Sequence, residues 1–306
     1  MRLRTMLPAD WPQVAQLIHD STNAWYQSNR NLSIFGAGIE SCLLFCQVYE
    51  DLDPGCCVVA EDESAGQIMG SCFYHPRDTH VSLGIMNVHP GHFGKHVASK
   101  LLAFITDLAD RAGKPLRLVS SAMNLDSFSL YNRAGFTPRA VFQDMLIPVP
   151  AEGLPGSCAG QDRVRDATLD DVAAMVELEQ QVSHISRPND YRYFIQNRLG
   201  IWRVSVLESG HGGIDGFLCS VNHPASNMLG PGVMRTETDA AALIRSELDH
   251  HRGRSPVFLV PSDRAQLVRQ IYSWDGRNCE IHFCQVRGRF DGSDGVVMPT
   301  FMPETG

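Results

Sequence analysis

No run of about 18 apolar residues occurs anywhere in the 306-residue chain, so no helix is expected to span a membrane. The first residues, MRLRTMLPADWPQ, lack the apolar stretch of a secretory signal and meet Asp10 early. An excess of positive charge is also missing. The 26 Lys and Arg face 34 Asp and Glu, for a net charge of −8, whereas a chain whose main partner is nucleic acid needs a concentrated basic surface. The nine cysteines are an odd number without a CxxC pair. Cys42 and Cys46 stand i,i+4 in an apolar stretch, but two ligands do not make a zinc site. The expectation is therefore free, mostly buried thiols, no metal, and a cytoplasmic location.

With 43% hydrophobic and 20% charged residues, the chain is apolar enough to build a core, and its length suggests two domains. The break falls in PVPAEGLPGSCAGQD (148–162), with three prolines, three glycines and no periodic apolar pattern. This gives a first domain over 1–150, a linker over 151–162 and a second domain over 163–306. The two halves also begin alike. Arg4 is followed six residues later by Asp10, and Arg165 by Asp171, each before an amphipathic stretch. That pattern reads as strand, turn and helix, and as two copies of one fold.

In the first half, helices are expected over 11–19 and 38–50. Strands are expected over 56–61, 67–74 and 81–88. A loop (89–94), a helix (95–113), a strand (116–121), a helix (127–134) and a strand (139–149) follow. The class is α/β with a mixed sheet. In the second half, 201–221 reads as a hairpin, 230–253 as a loop with GPG and a helix capped at Thr236 or Thr238, 256–263 as a strand, 265–274 as a helix and 278–288 as a closing strand.

Strand, glycine-bearing loop and helix make an anion site, because the first helical turn leaves N–H groups without partners and its dipole end is positive. The loop after Val88 supplies Gly91, His92, Gly94, Lys95 and His96. A second motif, Asn124-x-x-Ser127-x-x-Leu130-Tyr131-x-x-x-Gly135-Phe136, follows some forty residues on. Together with the V-H-P-x-x-x-G-K loop it resembles the GNAT superfamily of acyl-CoA-dependent N-acyltransferases, over Arg4 to about Leu146. The resemblance implies two GNAT-like domains, each a mostly antiparallel sheet flanked by helices, the second a degenerate copy. It implies acetyl-CoA as cosubstrate and acetyl transfer to a primary amine, small molecule or peptide. The implied cofactor-binding positions are Met86, Asn87, Val88, His92, Phe93, Gly94, Lys95, His96, Val97, Ala98, Asn124 and Ser127. Tyr131 is the implied general acid for the leaving thiolate, a phenol near pKa 10 matched to a thiol near 8.5.

Two positions depart from the family's Q/R-x-x-G-x-G/A loop: Phe93 replaces the polar residue and His96 the first glycine. No carboxylate lies in VSLGIMNV (81–88), where many relatives carry a basic Glu. These departures keep a rival open, a catalytically silent acyl-CoA-binding or regulatory module. Trp25, Tyr26 and Phe35, in a polar stretch over 23–38, read equally as an acceptor wall or a packed lid. The second half lacks both motifs, so it is expected to shape the acceptor cleft or a subunit interface; a homodimer is compatible with this.

Overall fold

The six-residue interval that opens each half of the sequence opens each half of the structure. In the computed structural model, which describes residues 1–302, Arg4 on β1 (Arg2–Thr5) donates to both oxygens of Asp10, at 2.6 and 3.0 Å, and to Glu61 at 2.9 Å. Arg165 on β7 (Val164–Asp166) does the same to Asp171, at 2.8 and 2.9 Å, and to Glu208 at 2.7 Å. In both copies the aspartate also closes the turn by accepting a backbone N–H, from Leu7 at 2.7 Å and from Thr168 at 2.8 Å. A bidentate guanidinium and an amide donor favour the ionised carboxyl. Asp10 is accordingly held below its ordinary pKa, and Asp171 is held down to about 2.

The first half continues as α1 (Trp11–Arg30), α2 (Leu43–Leu52), β2 (Cys57–Asp62), β3 (Gln67–Pro76), β4 (Val81–Val88), α3 (Val97–Arg111), β5 (Leu116–Ser121), α4 (Leu125–Arg133) and β6 (Thr137–Leu146). The second continues as α5 (Val172–Ser183), α6 (Pro188–Gln196), β8 (Trp202–Glu208), β9 (Ile214–His223), β10 (Ser226–Met234), α7 (Glu237–Leu248), β11 (Val257–Pro261), α8 (Ala265–Ser273), β12 (Arg277–Arg287) and β13 (Val296–Met298). The described strands join into one sheet in the order β1-β2-β3-β4-β5-β12-β6-β11-β10-β9-β8-β7, with β13 on β10. Its pairs are antiparallel except β4 with β5 and β10 with β11. The mixed, mainly antiparallel sheet flanked by helices is the class read from the sequence.

The order is a palindrome with its two central strands exchanged. β12 lies between β5 and β6, and β6 lies between β12 and β11. Each half thus sends its last long strand into the other. At the centre, Glu280 faces Asp144 and Cys284 faces Ala140, so residues 140 positions apart occupy matching places. One core, with α1, α2, α5 and α6, is continuous across both halves on one side of the sheet. Separate cores under α3 with α4 and under α7 with α8 occupy the other side.

Two sequence readings are corrected. α1 runs to Arg30, well past the expected end at 19, and stops where Asn31 turns left-handed at φ 53°. Its second half, STNAWYQSNR, is polar, but Ser21 is buried and Thr22, Trp25 and Tyr26 are half-buried, so its inner face is one of hydroxyls and aromatic rings that an apolar periodicity does not register. The GPG of residues 230–232 lies within strand β10, not in a loop before a helix. There an extra residue breaks the register with β9 between Leu229 and Gly232, the usual place for glycine and proline inside a strand.

Candidate functional site

Strands β4 and β5 are parallel neighbours only at Val81–Leu116 and Ser82–Arg117; beyond these residues they diverge. On its other edge β4 stays bonded to β3 as far as Gly70–Val88. Alternating ladder bonds leave every second N–H of Ile85–Val88 turned from β3 toward the opening. A cleft of about 600 Å³ fills this opening. Met86, Asn87 and Val88 line one wall, and His92, Phe93, Gly94, His96, Val97 and Ala98 line the end. Asn124 and Ser127 line the opposite wall. Lys95 and Tyr131 are not among the lining residues.

The end wall is a helix N-terminus. His96 is the N-cap of α3, with φ 62° and no side-chain cap, and no acidic residue stands in the first turn. The left-handed backbone at 96 is the physical reason a glycine suits this position. Gly70 on β3 lets the helix approach, since a Cβ there would stand 2.8 Å from Val97 and 3.0 Å from the carbonyl of Asn87. On the opposite wall the Asn124 side chain caps α4 by accepting from the Ser127 N–H at 3.0 Å. Its Oδ1 is therefore committed to the helix. Tyr131, one turn further along α4, is only 7% exposed. Its ring packs on Phe136 at 5.8 Å within the core under α3.

Leu130 of the second motif also lines the cleft, and residues that the sequence did not single out complete it: Ser21 and Thr22 from α1, Ser99, Ser121 at the end of β5, and Asp126 and Arg133 from α4. Trp25 and Tyr26 line it from the helix α1. Asn87 ties this helix to β4 by donating to Ser21 Oγ at 2.6 Å. Behind Tyr26 and Ser121 stands Glu280 of the exchanged strand β12. Tyr26 donates to it at 2.8 Å, and Ser121 donates to its other oxygen. Burial first, then the Glu280 charge, pushes the Tyr26 phenol well above its ordinary range. Asp144 follows, 2.9 Å from His282 Nδ1, its carboxyl raised above the usual range by burial. No local signal connects residue 280 to residues 26 and 121, because only the strand exchange joins them. Among the described residues no group of three or more His, Cys, Asp or Glu is placed to hold a metal ion, and no helix is long and apolar enough to cross a membrane.

Residues 53–138, which carry this diverging strand pair and the loop before α3, match the family model described as acetyltransferase (GNAT) domain. The similarity to a GNAT domain rests on these residues. Solved structures extend the likeness of fold to the whole chain. A protein of Pyrococcus horikoshii assigned as an acetyltransferase superposes with a TM-score of 0.77 at 13% identity, over 99% of this chain and 95% of its own. A GCN5-related N-acetyltransferase of Sphaerobacter thermophilus gives 0.64 at 19%, over 96% and 97%. A tandem GNAT protein from the clavulanic acid biosynthesis pathway gives 0.62 at 14%, over 95% and 99%. At these identities the likeness is one of fold, shared over the whole chain with a protein described as a tandem GNAT protein. No curated protein matches the chain.

The second half keeps the outline of this cleft with different residues in it. β10 and β11 are neighbours only at Met228–Val257 and Leu229–Phe258, but β13 pairs with β10 over Gly232–Met234 beyond this point. The N-terminus of α7 is closed by a reciprocal Thr236–Asp239 capping box, with Glu237 beside it. The backbone N–H of Gly276 bonds to Ile271 O as that of Phe136 bonds to Tyr131 O, which puts Ile271 in the place of Tyr131. By the same offset Arg264 stands in the place of Asn124.

Proposed function

We propose that the protein is an acetyl-CoA-dependent N-acetyltransferase that acts on a primary amine, with its chemistry in residues 1–150 and with 163–306 a degenerate copy. The observation that carries this reading is the uncapped N-terminus of α3 at the end of the cleft between β4 and β5. Free N–H groups, a positive dipole end and His92, His96 and Arg133 along the wall suit a pyrophosphate. Open N–H groups on Met86–Val88 suit an extended pantetheine arm and the thioester carbonyl. Asn124 offers its Nδ2 to that arm, and Lys95, outside the lining, adds a nearby charge. Coenzyme A supplies the acyl group as a thioester. The residues of this chain hold it, place the carbonyl against β4 and move protons. The amine nitrogen attacks the carbonyl carbon, the C–S bond breaks, and the departing thiolate takes its proton from Tyr131. The proton lost by the amine passes to the Tyr26–Ser121–Glu280 group, whose two hydroxyls line the cleft while its carboxylate stands behind them. Glu280 thereby fills the role left vacant by β4, which has no carboxylate.

Release of coenzyme A thiol with a panel of primary amines tests the reading. Tyr131→Phe lowers kcat by about 10²-fold, the ordinary contribution of a general acid, with coenzyme A affinity unchanged. Glu280→Gln lowers kcat by about tenfold and changes its pH profile. Tight coenzyme A binding without thiol release on any amine would favour the catalytically silent module.

A further inference from the structure

A second cavity, of about 550 Å³, opens where the two halves meet, and it does not depend on the acetyl-transfer reading. It lies among β5, β6, β12, the end of β11 and the segment after β12. The 140-residue correspondence of the exchanged strands maps Glu280 onto Ala140, His282 onto Phe142 and Asp144 onto Cys284. Ala140, Phe142 and Cys284 all line this cavity. Where the first cleft is backed by two carboxylates and a histidine, the second has a methyl group, a phenyl ring and a thiol.

The lining charge is positive. Arg117, Arg139 and Arg264 line the cavity, against one carboxylate, Asp263. Asp263 is 3.7 Å from Arg264, and its side chain is 73% exposed. Arg117 is only 8% exposed. Among the described residues its side chain has no hydrogen bond or ion pair, and the Phe290 ring lies 5.4 Å from its guanidinium carbon. Arg139 lies over the same ring at 5.8 Å. A buried guanidinium that bonds no carboxylate is costly, and burial first, with Arg187 adding to it, holds the Arg117 pKa below its ordinary value against the opposing pull of Cys284, Glu179 and Asp291. Two guanidiniums stacked on one ring and facing a metabolite-sized space form a ready fork for a planar or tetrahedral oxyanion.

We propose that this cavity is a binding site for a small organic anion, a metabolite whose carboxylate or phosphoryl group is held by Arg117 and Arg139. The ion supplies the counter-charge that Arg117 lacks, and Phe290 and Phe142 give an apolar surface to the rest of the ligand. The site's place across both halves lets its occupant clamp them together.

The full chain is titrated by calorimetry and by thermal shift with inorganic phosphate, glycerol 3-phosphate, succinate and benzoate. Saturable binding of at least one probe is expected, weakened tenfold or more by Arg117→Gln and by Arg139→Gln. Saturation by the phosphoryl probes alone identifies a phosphoryl ligand, and by the carboxylates alone a carboxylic acid. Arg117→Met should raise the melting temperature of the protein without ligand, because it removes an uncompensated buried charge. If Arg117 variants do not fold, the exposed Arg139→Gln carries the binding test. No saturation by any probe up to about 10 mM, binding that both glutamine variants leave unchanged, or a lowered melting temperature for a folded Arg117→Met would each overturn the proposal.

Discussion

Helices α3 and α7 occupy matching places in the two halves, and their first turns have opposite characters. At α3 the N-cap is a left-handed His96 without a side-chain bond, and no acid follows it. At α7 Thr236 and Asp239 satisfy each other's backbone N–H groups, and Glu237 accepts from Leu267 N at 2.6 Å. A capping box is the better way to end a helix, and it places two carboxylates where an anion would have to sit. An uncapped first turn leaves donors for a ligand. The neighbouring strands agree: the gap beside β4 is a cleft, and β13 runs along β10 beside the other gap. The two halves thus differ less in fold than in whether the protein itself satisfies the positive end of one helix.

The sharpest way to break this contrast is to give α3 an acid of the kind α7 has. Ala98→Glu should weaken coenzyme A binding about 30-fold, equivalent to about 2 kcal/mol of repulsion near the protein surface. Calorimetry on the parent chain should give one site per chain. A second site of similar affinity, or an Ala98→Glu variant that binds as the parent does, would remove the distinction between the two termini.

A smaller effect is expected at His96. Glycine takes the left-handed region without penalty, but it also loosens the unfolded chain, so His96→Gly should stabilise the protein by about 1 kcal/mol at most and raise Tm by about 2 °C. A fall in Tm would show that the imidazole makes a contact worth more than the strain of its backbone.

The smallest difference is expected between the two opening motifs, where the halves agree. Both aspartates have folded pKa values below an unfolded value near 3.8. Each therefore contributes its full stabilisation above about pH 4 and loses it as the pH falls through its lowered folded pKa, about 2 for Asp171. Asp10→Asn and Asp171→Asn should flatten the acid limb of a pH–stability curve to a similar degree. A marked effect from one variant alone would mean that only one fork is coupled to global unfolding.

The first half was legible because its signals are local. Strand β4, expected over 81–88, and strand β5, expected over 116–121, have those bounds. The loop residues His92–Gly94 and His96–Ala98 and the wall residues Asn124 and Ser127 come to one cleft as their order along a strand–loop–helix unit implies, and Lys95 does not. The inner face of α1 was not legible, since Ser21, Thr22, Trp25 and Tyr26 do not form an apolar stripe. β13 escaped notice because three residues after a polar, glycine-bearing segment carry no period.

By itself the sequence determined the mixed α/β class, the repeated Arg–Asp opening and the strand–loop–helix that builds the end of the cleft. Each of these rests on residues within about a dozen positions of one another, where turn chemistry and periodicity act directly. Only the tertiary structure decided that β6 and β12 change places. That exchange is a long-range pairing, made beside a core that both halves share. With it came the arrival of Glu280 behind Tyr26 and Ser121, and the placing of Arg117 and Arg139 around one ring. A contact between residues 26 and 280 depends on the register of strands that meet only after the whole sheet has formed, and no local pattern along the chain encodes it.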